Sequence, residues 1–207
     1  MATSYLRSCN QADRQKDNPW RPASREGLLE YLQRLRVSVV LLALGMFAAS
    51  CGRIVNIEYE PTNSFKGQGT VTVAPFRYEA AEDHRVRPRE VETYGAARAE
   101  LFLSQKIGIF YTEALSRELT RSGYTLEESG LVTVTGSVAR FFVDWRETER
   151  IFELRVLYTI AKNGFTWECS SVQRGPNTLV QDGVLIRKGT ADCVHRFIQA
   201  AQEAHIL

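Results

Sequence analysis

Fourteen consecutive residues without a charge, Val37 to Ser50, divide this chain in two. Arg34 and Arg36 stand just before the run, and the small residues Ala48, Ala49 and Ser50 lead straight into Cys51. Basic, then apolar, then small is the order of a secretory signal. As a helix the run would span about 21 Å, short of a hydrocarbon core of about 30 Å, so an export signal accounts for it better than a spanning helix. Residues 1–50 then read as leader and signal peptide, and the part that must fold is the remaining 157 of 207 residues. That is one domain of ordinary size with room for a real core. Residues 1–33 are polar and make the leader longer than the roughly 15–30 residues of a signal peptide. They read either as an extended leader or as the product of a mis-assigned start.

A Cys directly after three small residues resembles the lipobox of bacterial lipoproteins, in which that Cys receives a diacylglyceryl thioether and becomes the mature N-terminus. The resemblance implies lipidation of Cys51 and a membrane partner held through its acyl chains. An Asp after the Cys resembles the inner-membrane retention signal of enteric bacteria. Gly52 in its place implies the outer membrane, with the body facing the periplasm. The competing reading is an uncleaved signal-anchor, or a buried core helix followed by a chance Cys.

Removing the leader changes the electrostatics. Residues 1–50 carry seven of the 26 Lys and Arg and four of the 24 Asp and Glu, leaving 19 basic and 20 acidic side chains and a formal charge of −1. A near-neutral chain with interspersed signs lacks the basic footprint of a nucleic-acid binder. No nucleic-acid partner is expected.

Residues 51–69, with Pro61, Asn63, Ser64, Gly67 and Gly69 among mixed polar residues, read as a lipidated Cys and a flexible tether. Residues 70–207 read as a single globular domain. Thr70 to Phe76 alternates Thr with Val and predicts a strand. Arg77 to Glu100 is charged and irregular and reads as a long loop. Ile107, Phe110, Tyr111, Ala114, Leu115 and Leu119 recur at helical spacing within 104–122, with Glu113, Arg117, Glu118 and Arg121 off that stripe. Leu131 to Trp145 is strand-like, with Gly136 a candidate bulge. From Phe152 to Ile160 apolar and polar residues alternate, Asn163-Gly164 predicts a two-residue type I′ hairpin, and Phe165 to Val172 returns. Residues 174–189 read as mostly loop, and Ala191 to His205 as a helix with Val194, Phe197, Ile198 and Ala201 on its apolar face. The order β-α-β-β-β-α predicts an α+β fold: an antiparallel sheet with two helices packed on one face.

The VTVAPF strand, Leu119 to Tyr124 (LTRSGY) closing a helix, Val134 to Asp144 (VTGSVARFFVD), the Asn-Gly turn, Trp167 and a terminal helix resemble small outer-membrane lipoproteins of the YajG type. More loosely the pattern is similar to LptE- and LpoB-like envelope lipoproteins. The resemblance implies a non-enzymatic, periplasm-facing binding or assembly module with an envelope protein as its partner.

A search for catalytic chemistry is negative. The three His, His84, His195 and His205, form neither HExxH nor an i, i+4 pair, and no CxxC, GxSxG, GxGxxG or Walker loop occurs. No catalytic residue, metal ligand or cofactor is expected. Asp83-His84 reads as a solvated pair, and Asp192 with His195 as a surface pair on the last helix. Asp144, Glu147 and Glu149 could form a carboxylate pair for glycoside work, which keeps a lipid-anchored cell-wall enzyme as the alternative. Cys169 and Cys193 remain as an even pair in an exported chain. They either close a disulfide or sit as buried thiols, and the oxidising setting favours the bridge. The contact surface expected is the polar face or free edge of the 152–172 hairpin, then the aromatic run Phe141, Phe142 and Trp145.

Overall fold

The computed structural model describes residues 52–95, 100–178 and 180–207. Cys51, the apolar run and the leader lie outside the described residues. In chain order the elements are β1 (Arg53–Val55), β2 (Thr70–Val73), β3 (Arg77–Tyr78), α1 (Glu79–Glu82), β4 (Glu90–Gly95), β5 (Leu101–Leu103), α2 (Ile107–Arg121), β6 (Thr125–Leu126), β7 (Val132–Trp145), β8 (Glu149–Ile160), β9 (Phe165–Pro176) and α3 (Gln181–Glu203).

β7 is the spine. Along one edge it pairs antiparallel with β8, from Val134↔Ile160 to Trp145↔Arg150, and β9 pairs antiparallel with β8 in turn. Along its other edge β2, β3 and β4 lie end to end, all parallel to it. β6 extends β2 in parallel, β5 runs antiparallel to β4, and β1 lies parallel to β5. The sheet is therefore mixed, which corrects the expectation of a purely antiparallel one. The cause is a helical crossover: α2 carries the chain back so that β7 enters alongside strands that precede it, and a return over a helix makes strands parallel. The 77–100 segment, read as loop, supplies β3, α1 and β4. These pieces are too short to show a period, and pairing with β7 decides them.

α2 buries the expected stripe, Ile107, Phe110, Tyr111, Ala114, Leu115 and Leu119, but also Glu118. α3 starts at Gln181, ahead of the expected Ala191, and buries Asp182, Leu185 and Ile186 in its added turns. Gly183 and Gly189 read as loop signals there. A Cβ on Gly189 would sit 2.7 Å from the Phe152 ring, so the glycine lets the helix approach β8 closely. Between sheet and helices lies an aromatic layer: Tyr158 stacks on Phe197 at 4.1 Å, and its hydroxyl hydrogen-bonds that of Tyr111. Phe141 meets Phe152 edge-on at 5.0 Å.

Two local details differ from expectation. Ile160 pairs with Phe165, which leaves Ala161 to Gly164 as the loop: a 3-10 turn over Ala161–Asn163, then Gly164 in the left-handed region at φ 62. Four-residue loops of this build join strands as well as two-residue turns do. The β7 register shifts between Val138 and Arg140, not at Gly136. A Cβ on Gly136 would lie 2.2 Å from the Leu157 carbonyl oxygen and 2.5 Å from the Phe76 ring, so this glycine answers close packing.

Residues 52–69 do not form a free tether. β1 pairs with β5, and Tyr59 and Asn63 are buried. Their hydrogen-bond partner, Glu118, comes from far along the chain.

Candidate functional site

Cys51 lies outside the described residues, but its neighbour Gly52 is fixed. A Cβ on Gly52 would stand 2.4 Å from the Phe102 ring, and the Arg53 N–H donates to the Glu100 carbonyl at 2.8 Å. The sulfurs of Cys169 and Cys193 are bonded to each other, with 5.6 Å between the Cα atoms, tying β9 to α3. Asp83 and His84 are exposed in the turn after α1, Asp83 lying 3.5 Å from Arg85. Asp144 pairs with Arg146 at 2.8 Å and Glu149 with Arg174 at 3.0 Å, at the turn between β7 and β8. Glu147 is exposed there, and the Asn177 amide donates to its backbone carbonyl at 3.2 Å. His205 is exposed just past α3. His195 and Asp192 do not form a surface pair: Asp192 accepts from Ser171 and Arg196, and His195 turns inward to Glu118.

The structure instead brings forward two fully buried carboxylates. Glu118 accepts from the Tyr59 hydroxyl at 2.6 Å, the Thr62 N–H at 3.1 Å and the Asn63 N–H at 3.2 Å, and from the Asn63 side-chain amide. His195 Nε2 lies 2.9 Å away. Burial alone would raise the Glu118 carboxyl. The hydrogen bonds from His195, Tyr59 and Thr62 outweigh it and hold the group down at about 2. The Tyr59 phenol moves the other way, raised by burial and by the carboxylate it donates to, so it stays a donor. Arg117 and Arg121 complete the clasp through the Tyr59 and Asn63 carbonyls, at 2.8 and 3.0 Å.

Asp182, in the first turn of α3, does the same for β1. Arg53 donates to its Oδ2 at 2.8 Å, Arg150 Nη1 lies 2.5 Å from that oxygen, and the Trp145 indole N–H donates to Oδ1 at 3.2 Å. Both carboxylates are occupied in fastening residues 53–63 to the body. Glu118, held in the charged state by fixed donors, is suited to a structural charge, and poorly suited to giving up or taking a proton near neutral pH.

Two clefts flank β1 and share Ile54. One, of about 520 Å³, is bounded by Gly52, Arg87, Arg89, Phe102 and Lys106. The other, of about 330 Å³, lies against Val180, Val184 and Arg187 of the α3 end. Among the described residues no group of three or more His, Cys, Asp or Glu could hold a metal ion, and no helix is long and apolar enough to cross a membrane.

No protein-family model matches the sequence, and no curated protein matches it. Among solved structures the chain is similar to protein XCC0632 from Xanthomonas campestris, of the domain family DUF330. The identity is 10% and the TM-score 0.53, over 74% of this chain and 99% of that one. Similarity is also found to lipoprotein GNA1162 from Neisseria meningitidis, at 8% identity and TM-score 0.32, over 61% of this chain and 98% of that one. The likeness to XCC0632 is one of fold. At this identity it carries no function across, so what the body does must be argued from its own surface.

That surface has one open side. The face of β7, β8 and β9 turned away from α2 and α3 carries Arg140 paired with Glu153 at 2.7 Å and Arg155 paired with Glu168 at 3.4 Å. Leu157 and Val172 stand exposed among these charges. β9 is an edge strand among the described residues.

Proposed function

We propose that this chain is a lipid-anchored, periplasm-facing envelope lipoprotein of the outer membrane, related to the YajG type, whose body is a non-catalytic binding or assembly module. The observation that carries the reading is the fastening of residues 53–63 by Asp182 and Glu118. Lipid on Cys51 would then be mounted on a rigid body one residue away, which suits a protein that presents a surface at a membrane. The partner is an envelope protein, met by the open β7–β9 face or by the β9 edge, where unpaired backbone groups offer a template for an incoming strand. Confinement near the membrane raises the effective concentration of other membrane-bound proteins, so weak contacts suffice.

Two measurements test this. Cys51→Ser should abolish the acyl mass and release the chain from the membrane fraction; a variant still processed, mass-shifted and membrane-bound overturns the anchor. Alanine substitutions at Asp83, His84, Asp144, Glu147 and Glu149 should each rescue a deletion strain as well as the parent does. Loss of rescue with fold and anchor intact would turn the reading to a lipid-anchored cell-wall enzyme.

A further inference from the structure

The face around β1 combines three features. Ile54 and Val180 are among the most exposed large apolar side chains described, at 63% and 78%. Basic groups border them: Arg87, Arg89 and Lys106 line one cleft, where Arg87 pairs with Glu90 at 2.9 Å and Glu100 at 2.7 Å, and Arg187 lines the other together with Glu58, with Lys106 and Arg187 exposed to solvent. Gly52 lies at this same face against the Phe102 ring, and the Arg87 guanidinium sits over that ring, 4.6 Å from its centre.

Position decides what covers such a face. Successive Cα atoms are about 3.8 Å apart, so a lipid attached through the Cys51 sulfur begins on the order of 10 Å or less from Gly52. With Gly52 fixed, the headgroup layer cannot be remote from Ile54, Phe102 or Arg87. Apolar side chains ringed by Arg and Lys match the boundary between acyl chains and anionic headgroups, because the long stems lie along the apolar layer while their charges meet phosphate.

We infer that this face, Ile54, Phe102 and Val180 within Arg87, Arg89, Lys106 and Arg187, seats on an anionic phospholipid surface at the anchor and so fixes the orientation of the body. The inference rests on the lipidation of Cys51 proposed above. It makes β1, a sheet edge that would otherwise lie open, part of the membrane-facing surface.

The full chain, purified with its lipid, is reconstituted into phosphatidylcholine vesicles with and without phosphatidylglycerol, using brominated acyl chains as a contact quencher. Intact mass and flotation establish the anchor first. Measured as the change over the parent, whose own Trp145 and Trp167 set the baseline, the quenching added by Ile54→Trp should be several-fold greater than that added by Leu131→Trp, which lies before the start of β7 and about 35 Å of strand away from the β4 end. Phosphatidylglycerol should deepen the quenching, and Lys106→Glu with Arg187→Glu, both exposed positions, should cancel that gain while circular dichroism stays unchanged. An anchored chain in which the tryptophans introduced at 54 and at 131 add equal quenching overturns the seating and leaves the anchor standing. A chain without acyl mass overturns the anchor and the seating with it.

Discussion

The β8–β9 hairpin and residues 52–69 are joined to the same body by different forces. The hairpin has a backbone ladder along strands of 12 residues each, a face of buried apolar side chains from Phe152 to Ile160, and the Cys169–Cys193 bond to α3. Residues 52–69 have a three-residue strand, the buried Tyr59, the partly buried Val55, Ile57 and Phe65, and bonds to the body's two buried carboxylates, Asp182 and Glu118. Apolar burial is spread over many contacts and loses stability gradually. A polar clasp concentrates it in a few donors and acceptors, each costly when its partner is removed. The segment beside the proposed anchor is thus the part of the molecule most open to release by one substitution.

The largest expected effect is on the hairpin side. Phe152→Ala removes a fully buried ring against Phe141 and should cost about 4 kcal/mol, read as a lowered urea midpoint with an unchanged slope. A loss below about 1 kcal/mol would mean that the aromatic layer is not the hairpin's main attachment.

Next comes the bridge. Replacing Cys169 and Cys193 with Ser opens a loop with a sequence separation of 24 and should cost about 3 kcal/mol on the chain-entropy account. Equal midpoints for the parent and the double variant would place the stability of the β9–α3 junction in packing alone.

Glu118→Ala strands the Tyr59 hydroxyl and His195 but can be relieved by local undocking, which limits the loss to about 2 kcal/mol. Limited proteolysis should then cut within 56–68 while amide exchange in β8 stays slow. Cleavage spread across the body would show that segment and hairpin open together. Acid should act on the same clasp. The carboxyl stands at about 2 in the folded state against 4.5 as its ordinary value. Its contribution is therefore whole above 4.5 and is lost as pH falls through about 2. Glu118→Gln should flatten that part of the stability–pH curve, and an unchanged curve would assign the acid sensitivity to other groups.

The smallest effect is at the hairpin tip. Gly164→Val forces a β-branched residue to φ 62 and should cost about 1–2 kcal/mol, with denaturation in urea as the check. A neutral result would show that the loop reshapes without disturbing the ladder.

Periodicity made much of the hairpin legible. Leu131 to Trp145, Phe152 to Ile160 and Phe165 to Val172 read as strands, and the α2 stripe as a helix, because each pattern is carried by neighbours in sequence. The parallel pairings were not legible. β2 read as a strand from its Thr/Val alternation, but β3 and β4, of two and six residues, are strands only along the edge of β7, and no local pattern says that all three lie parallel to it. The start of α3 was hidden for a similar reason: Gly183 and Gly189 signal loop locally but are tolerated where the helix meets Val55 and Phe152.

What the sequence determined by itself about this protein is therefore the long strands β7, β8 and β9, the helix α2 and the apolar faces they bury. Tertiary structure decided the mixed topology and the fate of residues 52–69. Glu118 reads as a polar-face residue of α2, and Asp182 falls in a stretch read as loop. Their partners, Tyr59 and Arg53, stand 59 and 129 residues away. A buried charge is stable only where distant donors converge on it, and no local pattern in a chain records which donors those will be.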